Sequence, residues 1–444
     1  MLLRQLTLRN FKAFQAATFD LAPITVLIGP NNAGKSTVLH ALALLAQSSQ
    51  DQTYLGLRLS QAARLDTGEL IDLGDRIEGL IHEQRPSEGF EIALDWSLGP
   101  GDIGRDDTEN TTRFELLVRQ ALAPLQVQTG LTASYRQADG AQVSLAANYP
   151  PTSRAALRMD SKWEHSVTAS ADFPWAWTFQ PTNPWPSDLV STEIPDVETS
   201  ALTLFAPFFQ HGLQEQLGIF DYVGPDRHVT SSAYAALDTS SENPRNAAEV
   251  VNTLAYEREV RDRVSARCRD VFGFGIDTQP IPPKKFALVA VDANGQARNA
   301  VNVGTGLTQL AWIALHLELT IARARRLALV SGFLPTPFVG VEEPELHLHP
   351  RLQSEVARLL TDFLPQGQVL CTTQSEHFLI ALLQFVLDGK LAPDDLAVYF
   401  VESGRAERLK VDKKGRLAGG LRGFFEANEQ ELLHRLDALV HSKR

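Results

Sequence analysis

Apolar and polar residues alternate through the opening of the chain, with Leu6, Leu8 and Phe11 marking the apolar positions of a half-buried strand. ITVLIG, Ile24 to Gly29, is apolar throughout, which predicts a strand covered on both faces. TVLHALALLAQ then carries apolar residues at helical spacing among strong helix formers. From about residue 85 to 215, Pro, Gly and Ser punctuate short β-like runs such as FEIALDW and LTASYRQ. This pattern predicts a loop-rich, mainly antiparallel insert. YEREVRDRVSARCRDVF and Gly306 to Arg326 read as helices. PFVGVEEP reads as a buried strand ending in acids, RLQSEVARLLTDFL as an amphipathic helix, and QVLCTTQ as another buried strand. LAVYFVES and RLKVDKKGRL read as a hairpin, with a final helix near ELLHRLDALV. The chain shows no internal repeat and no extended heptad run. Strands and helices alternate at both ends, which predicts an α/β fold with a mostly parallel sheet.

Composition narrows the class. Across 444 residues, 44% are hydrophobic and 21% charged, as in a soluble protein with a large core. No uncharged apolar run reaches the roughly 18 residues of a membrane span, so no membrane partner is expected. The N-terminus lacks the apolar stretch of a signal peptide, and Cys268 and Cys371 have no metal-ligand spacing. A cytoplasmic location is the simplest expectation. The net charge of −12 argues against coating nucleic acid through bulk charge, although a local basic groove is compatible with it. Arg258, Arg261, Arg263, Arg267 and Arg269 alternate with acids, the pattern of a solvated, ion-paired helix. Trp175, Trp177 and Trp185 are expected to fix a β-rich core rather than to stack bases.

GPNNAGKS, Gly29 to Ser36, satisfies G-x-x-x-x-G-K-[ST] between a strand and a helix, the context in which that pattern binds nucleotide phosphates. The loop comprises Gly29, Asn31, Asn32, Ala33, Gly34, Lys35, Ser36 and Thr37. Backbone N–H groups from Asn32 to Ser36 can converge on phosphate oxygens. Lys35 would neutralise β/γ-phosphate charge, the Ser36 hydroxyl would ligate Mg2+, and Thr37 could reach the α-phosphate. ATP and Mg2+ are therefore the expected ligands. FVGVEEP places Glu342 and Glu343 where a buried strand ends, the edge at which α/β sheets bind ligands. Glu342 is expected to hold Mg2+ through water, and Glu343 to orient the attacking water.

The set LRNFKAF, GPNNAGKST, VGTGLTQ, VEEPELHLHP and TTQSEH resembles the ABC-type ATPases of the SMC, RecF and OLD group. The ending, with YVGPDR and LRGFFEAN, is similar to single-chain prokaryotic AAA-type ATPases of mobile elements and antiphage defence loci. The resemblance implies a P-loop NTPase with an ABC-type head built from both chain ends, 1–84 and 301–444. Between them lie the 85–215 insert and a helical arm or lid over 216–300. It implies a homodimer, or higher even oligomer, that sandwiches ATP. By position, Gly304, Gly306 and Thr308 would form the signature turn that meets the γ-phosphate of the opposite subunit. His349 would stand in the D-loop across the interface. Asn10, Phe11 and Lys12 would lie near the nucleotide, with Lys12 in reach of phosphate or ribose. The Q-loop glutamine stays open among several between Gln47 and Gln61.

Three departures shape the expectation. No Toprim-like acidic constellation follows TTQSEH, so nuclease activity in this chain is not expected, and Asp412 reads as a hairpin turn. The long coiled coil of SMC proteins is absent from the pattern. Where this family usually has a switch histidine, the chain has Gln374. The expected function is an ATPase serving DNA repair or antiphage defence as sensor or motor, with an effector encoded nearby and DNA as a compatible partner. The alternative is a slowly hydrolysing, nucleotide-gated scaffold that assembles or inhibits a partner protein.

Overall fold

The computed structural model describes residues 2–49, 70–71, 73, 77–82, 89–98, 213–331 and 334–418, with the backbone of five strands between 111 and 173. The chain opens with strands β1 (Leu2–Phe11), β2 (Phe14–Asp20) and β3 (Ile24–Ile28), then helix α1 (Lys35–Ser49). Next come β4 (Phe90–Leu98), β5 (Thr111–Leu122), β6 (Leu125–Arg136), β7 (Gln142–Tyr149), β8 (Ala155–Ser161) and β9 (Ala169–Phe173). The second half begins with α2 (Leu213–Gly218), β10 (Phe220–Val223) and β11 (Tyr234–Ala235), followed by α3 (Ala247–Tyr256) and α4 (Arg258–Phe272). Strands β12 (Gly275–Ile281), β13 (Lys285–Val291) and β14 (Ala297–Asn299) precede the long α5 (Thr305–Ser331). Finally β15 (Phe338–Glu342), α6 (Pro350–Phe363), β16 (Gln368–Thr373), α7 (Glu376–Leu387), β17 (Leu396–Glu402) and β18 (Arg405–Leu409) complete the described chain.

Both ends of the chain build one sheet, in the order β10-β15-β16-β3-β17-β18, parallel except for β18. Alternation along the strands sends side chains to two cores. Ile24, Val26 and Ile28 join Val369 and Cys371 under helices α5, α6 and α7. Leu27 and Leu370 face α1 and the aromatics Phe11, Phe14 and Phe19 of the first hairpin. This is the expected α/β class with a mostly parallel sheet, and β3, the strand before the glycine-rich loop, lies in its interior.

Three boundaries differ from the sequence reading. β4 pairs with β1, so the β-rich stretch extends the first hairpin into one antiparallel sheet, β2-β1-β4-β5-β6-β7-β8-β9. β10 lies within the expected helical arm, yet its four residues are buried and pair in parallel with β15 as the edge of the main sheet. The arm itself holds α3 and α4 together with β11 to β14, a small antiparallel sheet. A four-residue buried strand and a short β-branched run such as LVAV give too little periodicity to distinguish from helix. The final helix near ELLHRLDALV and the tryptophans Trp175, Trp177 and Trp185 lie outside the described residues, as does most of Gln47 to Gln61. Gln47 itself is buried and accepts from the Ile71 backbone N–H at 3.2 Å.

Charges on α4 and α5 pair with neighbouring elements at a partly exposed surface. Arg263 and Arg267 of α4 pair with Glu318 of α5 at 2.8 and 3.7 Å, and Arg261 pairs with Asp277 at 3.3 Å. Arg326 faces Glu242 and Glu257, and Arg323 is buried. Asp412 accepts from the backbone N–H groups of Lys414 and Arg416, closing a turn. Among the described residues, no helix is long and apolar enough to cross a membrane.

Beneath β10 sits a buried charge cluster. Asp221 accepts from the Tyr222 backbone N–H at 2.9 Å and meets His316 Nδ1 at 2.7 Å. Arg245 stands 3.8 Å from the same carboxylate, and Arg323 bonds the Ile219 carbonyl at 2.8 Å. Burial alone would raise the Asp221 pKa, but His316, Arg245 and Arg323 outweigh it and hold the carboxyl at about 2.

Candidate functional site

The site is assembled by register. β16 lies between β3 and β15, pairing Thr373 with Ile28 and Thr372 with Glu342. The residues that follow these strands, Gly29, Gln374 and Glu343, therefore meet along one sheet edge.

The loop after β3 needs its first glycine. Gly29 has φ +152°, and a Cβ there would lie 2.0 Å from the Val401 carbonyl oxygen. Asn32 and Gly34 also have positive φ, so the backbone curls back upon itself before α1. The Thr37 N–H bonds the Gly34 carbonyl at 3.0 Å as the helix begins, and the Gly404 N–H of the β17–β18 turn reaches the Ala33 carbonyl at 3.4 Å. Asn31 and Asn32 are exposed at the mouth, whereas Ala33, Lys35 and Thr37 are buried. Lys35 Nζ donates to the carbonyls of Gly29 at 2.9 Å and Pro30 at 2.8 Å. Burial lowers its pKa, while the carboxylates of Glu343, Glu345 and Glu342 oppose that shift. A cationic head held by two loop carbonyls is suited to an incoming polyphosphate.

Across from Lys35, burial would raise the Glu342 pKa, but the neighbouring His40, Ser36 and Tyr222 hold it low. Glu342 Oε1 is nonetheless without an aligned hydrogen-bond partner, with His40 Nε2 at 3.3 Å. A buried, ionised carboxylate with a spare oxygen beside the Ser36 hydroxyl fits Mg2+, which takes few protein oxygens and completes its shell with phosphate and water. Ser36 and Glu342 would hold it. The low Tyr222 acidity, from burial and then the adjacent Glu342, keeps that phenol a donor.

Glu343 has φ 43°, held by its N–H bonding the Thr372 carbonyl at 2.9 Å. Gln374 Nε2 donates to Glu343 Oε1 at 2.5 Å, and the Gln374 N–H donates to Glu345 Oε1 at 2.8 Å. Burial raises the Glu345 pKa, with partial compensation from the Gln374 N–H. Gln374 is thus placed directly on the carboxylate expected to orient water. Ser375 caps α7 through the Phe378 N–H, which fixes the turn that carries Gln374.

The remaining expected residues divide. Gly304 is exposed at the start of α5, and Gly306 is glycine for packing, since a Cβ there would come 2.9 Å from Leu352 Cδ1. Thr308 requires correction. It is buried, and its hydroxyl donates to the Thr305 carbonyl at 2.8 Å, so it is not presented to another subunit. The exposed residue bearing a hydroxyl at this turn is Thr305. His349 is exposed and caps α6, accepting from the Arg351 N–H at 3.3 Å. Asn10 bonds the Gly89 carbonyl, and Phe11 is core. Lys12 Nζ lies 2.7 Å from His40 Nδ1, and burial lowers its pKa. Among the described residues, no group of three or more His, Cys, Asp or Glu could hold a metal by itself.

His40, Tyr222, Arg227 and Glu345 complete the site without having been singled out as site residues. Tyr222, Arg227 and Glu345 fall within YVGPDR and VEEPELHLHP, and His40 stands four residues after Ser36 and hence on the same face of α1. Lys12 donates to Nδ1, which places the His40 ring proton on Nε2, toward Glu342. Burial lowers the His40 pKa. Removing such an orienting partner typically weakens a metal site about 10–100-fold. His40→Ala is accordingly expected to raise the Mg2+ concentration for half-maximal activity by about tenfold. A Mg2+ titration checks this, and an unchanged midpoint would remove His40 from the site.

Residues 1–107 match the family described as "AAA ATPase domain", and residues 227–381 match "AAA domain, putative AbiEii toxin, Type IV TA system". The first match spans the glycine-rich loop, and the second spans the acidic strand end and Gln374. No curated protein matches the chain. Among solved structures, it is similar to the SMC head domain from Thermotoga maritima, at 12% identity and TM-score 0.37, over 93% of this chain and 100% of that one. It is also similar to an Smc head bound to the C-winged helix domain of ScpA, at 12% identity and TM-score 0.39, over 92% and 97%. A third is the Smc head with an extended coiled coil bound to the C-terminal domain of ScpA derived from Pyrococcus furiosus. It has 12% identity and TM-score 0.40, over 91% and 95%.

Proposed function

We propose that this chain binds MgATP on the Gly29–Thr37 loop and hydrolyses it. The observation that carries the reading is the meeting of Lys35, Ser36, Glu342, Glu343 and Gln374 at one sheet edge. Phosphoryl transfer asks mainly for positioning and charge stabilisation. Loop N–H groups and Lys35 take the phosphate charge. Ser36 and Glu342 would hold Mg2+, which would supply positive charge against the charge developing on the phosphate. Glu343, its carboxylate steadied by Gln374, orients the attacking water. ATPγS binding by calorimetry tests the site. Lys35→Ala is expected to lose at least about tenfold in affinity, because a charge-assisted contact to phosphate is removed. Equal affinity in both proteins would refute the assignment.

The reading extends to a dimer in which each copy presents Gly304, Thr305 and Gly306, with His349, to ATP held by the other. The exposure of Gly304, Thr305 and His349 supports it. Light scattering should show the mass doubling with ATPγS and returning with ADP. A constant mass would sink the sandwich while leaving the ATP site standing. A sensor or motor role in DNA repair or antiphage defence, with an effector in trans, follows from the motif resemblance. Co-purification with the product of the neighbouring gene, with and without ATP, tests it.

A second reading, the slowly hydrolysing scaffold, is favoured by the Gln374–Glu343 bond. An amide cannot accept a proton, so this position steadies the carboxylate without titrating. Gln374→His is expected to raise turnover or to introduce a pH step near the ordinary histidine range of about 6–7. A pH–rate profile of both proteins decides, and identical profiles would make Gln374 structural only.

A further inference from the structure

Arg227 is fully buried, yet its guanidinium donates from all three nitrogens. Nε bonds Gln309 Oε1 at 2.9 Å, and Nη1 bonds the carbonyls of Gly224 at 2.6 Å and Glu342 at 2.8 Å. Nη2 bonds the carbonyl of Glu343 at 2.7 Å. Gln309 returns a bond from Nε2 to the Arg227 carbonyl at 2.8 Å. The carbonyls of Glu342 and Glu343 lie where β15 runs out; that of Glu343 also accepts from the Leu346 N–H at 2.9 Å, and Arg227 is the side-chain donor that reaches both. A planar fork with five N–H donors serves all four of these acceptors at once, one more than the three N–H groups of an ammonium can reach.

The partner end of this link is the first turn of α5. Gln309 is four residues after Thr305, and Gly306 lets that turn pack tightly on Leu348 and Leu352. Hence the peptide carrying Glu343 and the turn carrying exposed Gly304 and Thr305 are joined through one pair of side chains. We infer that Arg227 and Gln309 are positioning residues that tie the setting of Glu343 to the setting of the Gly304–Thr305 turn. Nucleotide bound at the loop then changes the exposed turn, and whatever docks on the turn changes Glu343 in return, since such coupling is reciprocal for binding. The inference rests on the ATP reading for what occupies the site, and goes beyond it in naming how that site reports to the surface.

Hydrogen exchange on the full chain, with and without ATPγS and Mg2+, separates the two claims. The ATP reading requires slower exchange over residues 29–40. The inference requires a nucleotide-dependent change over 303–312 as well. In Gln309→Leu the response at 29–40 is expected to persist while that at 303–312 is lost. Its kcat should fall about tenfold or more with KM nearly unchanged, the mark of lost positioning rather than lost binding. Gln309→Glu keeps an acceptor for Arg227 Nε and should restore most of the response. A wild-type response at 29–40 without one at 303–312 overturns the inference alone, as does a full response in Gln309→Leu. No wild-type response at 29–40 overturns the ATP reading, and the inference with it.

Discussion

Glu343→Gln is expected to lower steady-state ATP turnover by about a hundredfold or more, because a positioned general base contributes roughly 10²–10⁴-fold. ATP affinity should change little. Glutamine keeps the shape of Glu343 and its backbone, which is held by Thr372 and Arg227 independently of the carboxylate. What is lost is the negative oxygen that orients water and accepts its proton, and the charge-attracting partner of the Gln374 amide. The variant should therefore accumulate bound ATP, giving light-scattering experiments a trapped state. Rapid-quench measurement of ATP cleavage checks this. A variant that cleaves ATP at the wild-type rate would move the water-orienting role elsewhere, with Glu345 next in line because burial has already raised its pKa.

Asp221→Ala is expected to cost about 3–5 kcal/mol of stability, the usual penalty for removing one member of a buried charge cluster. His316, Arg245 and Arg323 would remain in the interior facing one another, and Arg245 and Arg323 already have buried nitrogens without hydrogen-bond partners. Urea unfolding measures the loss; a change near zero would mean that the cluster relaxes or hydrates freely. The same carboxylate predicts a pH signature. Its folded pKa of about 2 lies below the ordinary 3.8, so its contribution is fully present above the unfolded value. That contribution drains away as pH falls from near 4 toward 2, as the folded carboxyl takes up a proton. Asp221→Asn should therefore show a shallower loss of stability than wild type across that window, and an equal slope would count against the shift.

What was legible in the sequence was what is contiguous. Gly29 to Thr37 needs only its own backbone to form the loop, and Glu342 and Glu343 need only the end of one strand. Parallel order was implied by apolar runs separated by helices. Register was not, and register is what places Gln374 against Glu343, because β16 enters the sheet between β3 and β15. Arg227, His40 and Tyr222 act on the acids from segments more than 100 residues away in each case, so spacing could not reveal them. Thr308 shows the limit of carrying a motif by position. The turn is there, but the helix phase buries Thr308 and leaves Thr305 outside. The β-rich stretch was legible as strands, while its union with β1 through β4 depended on a pairing that local pattern does not encode.

The central claim is that the Gly29–Thr37 loop and the Glu342–Glu343 pair form one ATP-hydrolysing site. Phosphate release from MgATP by wild type and by Lys35→Ala, measured side by side on folded full-length protein, tests it most directly. Wild type is expected to turn over repeatedly, and Lys35→Ala to release phosphate no faster than the buffer blank. Equal release by the two proteins, or none by wild type under any Mg2+ concentration, would contradict it.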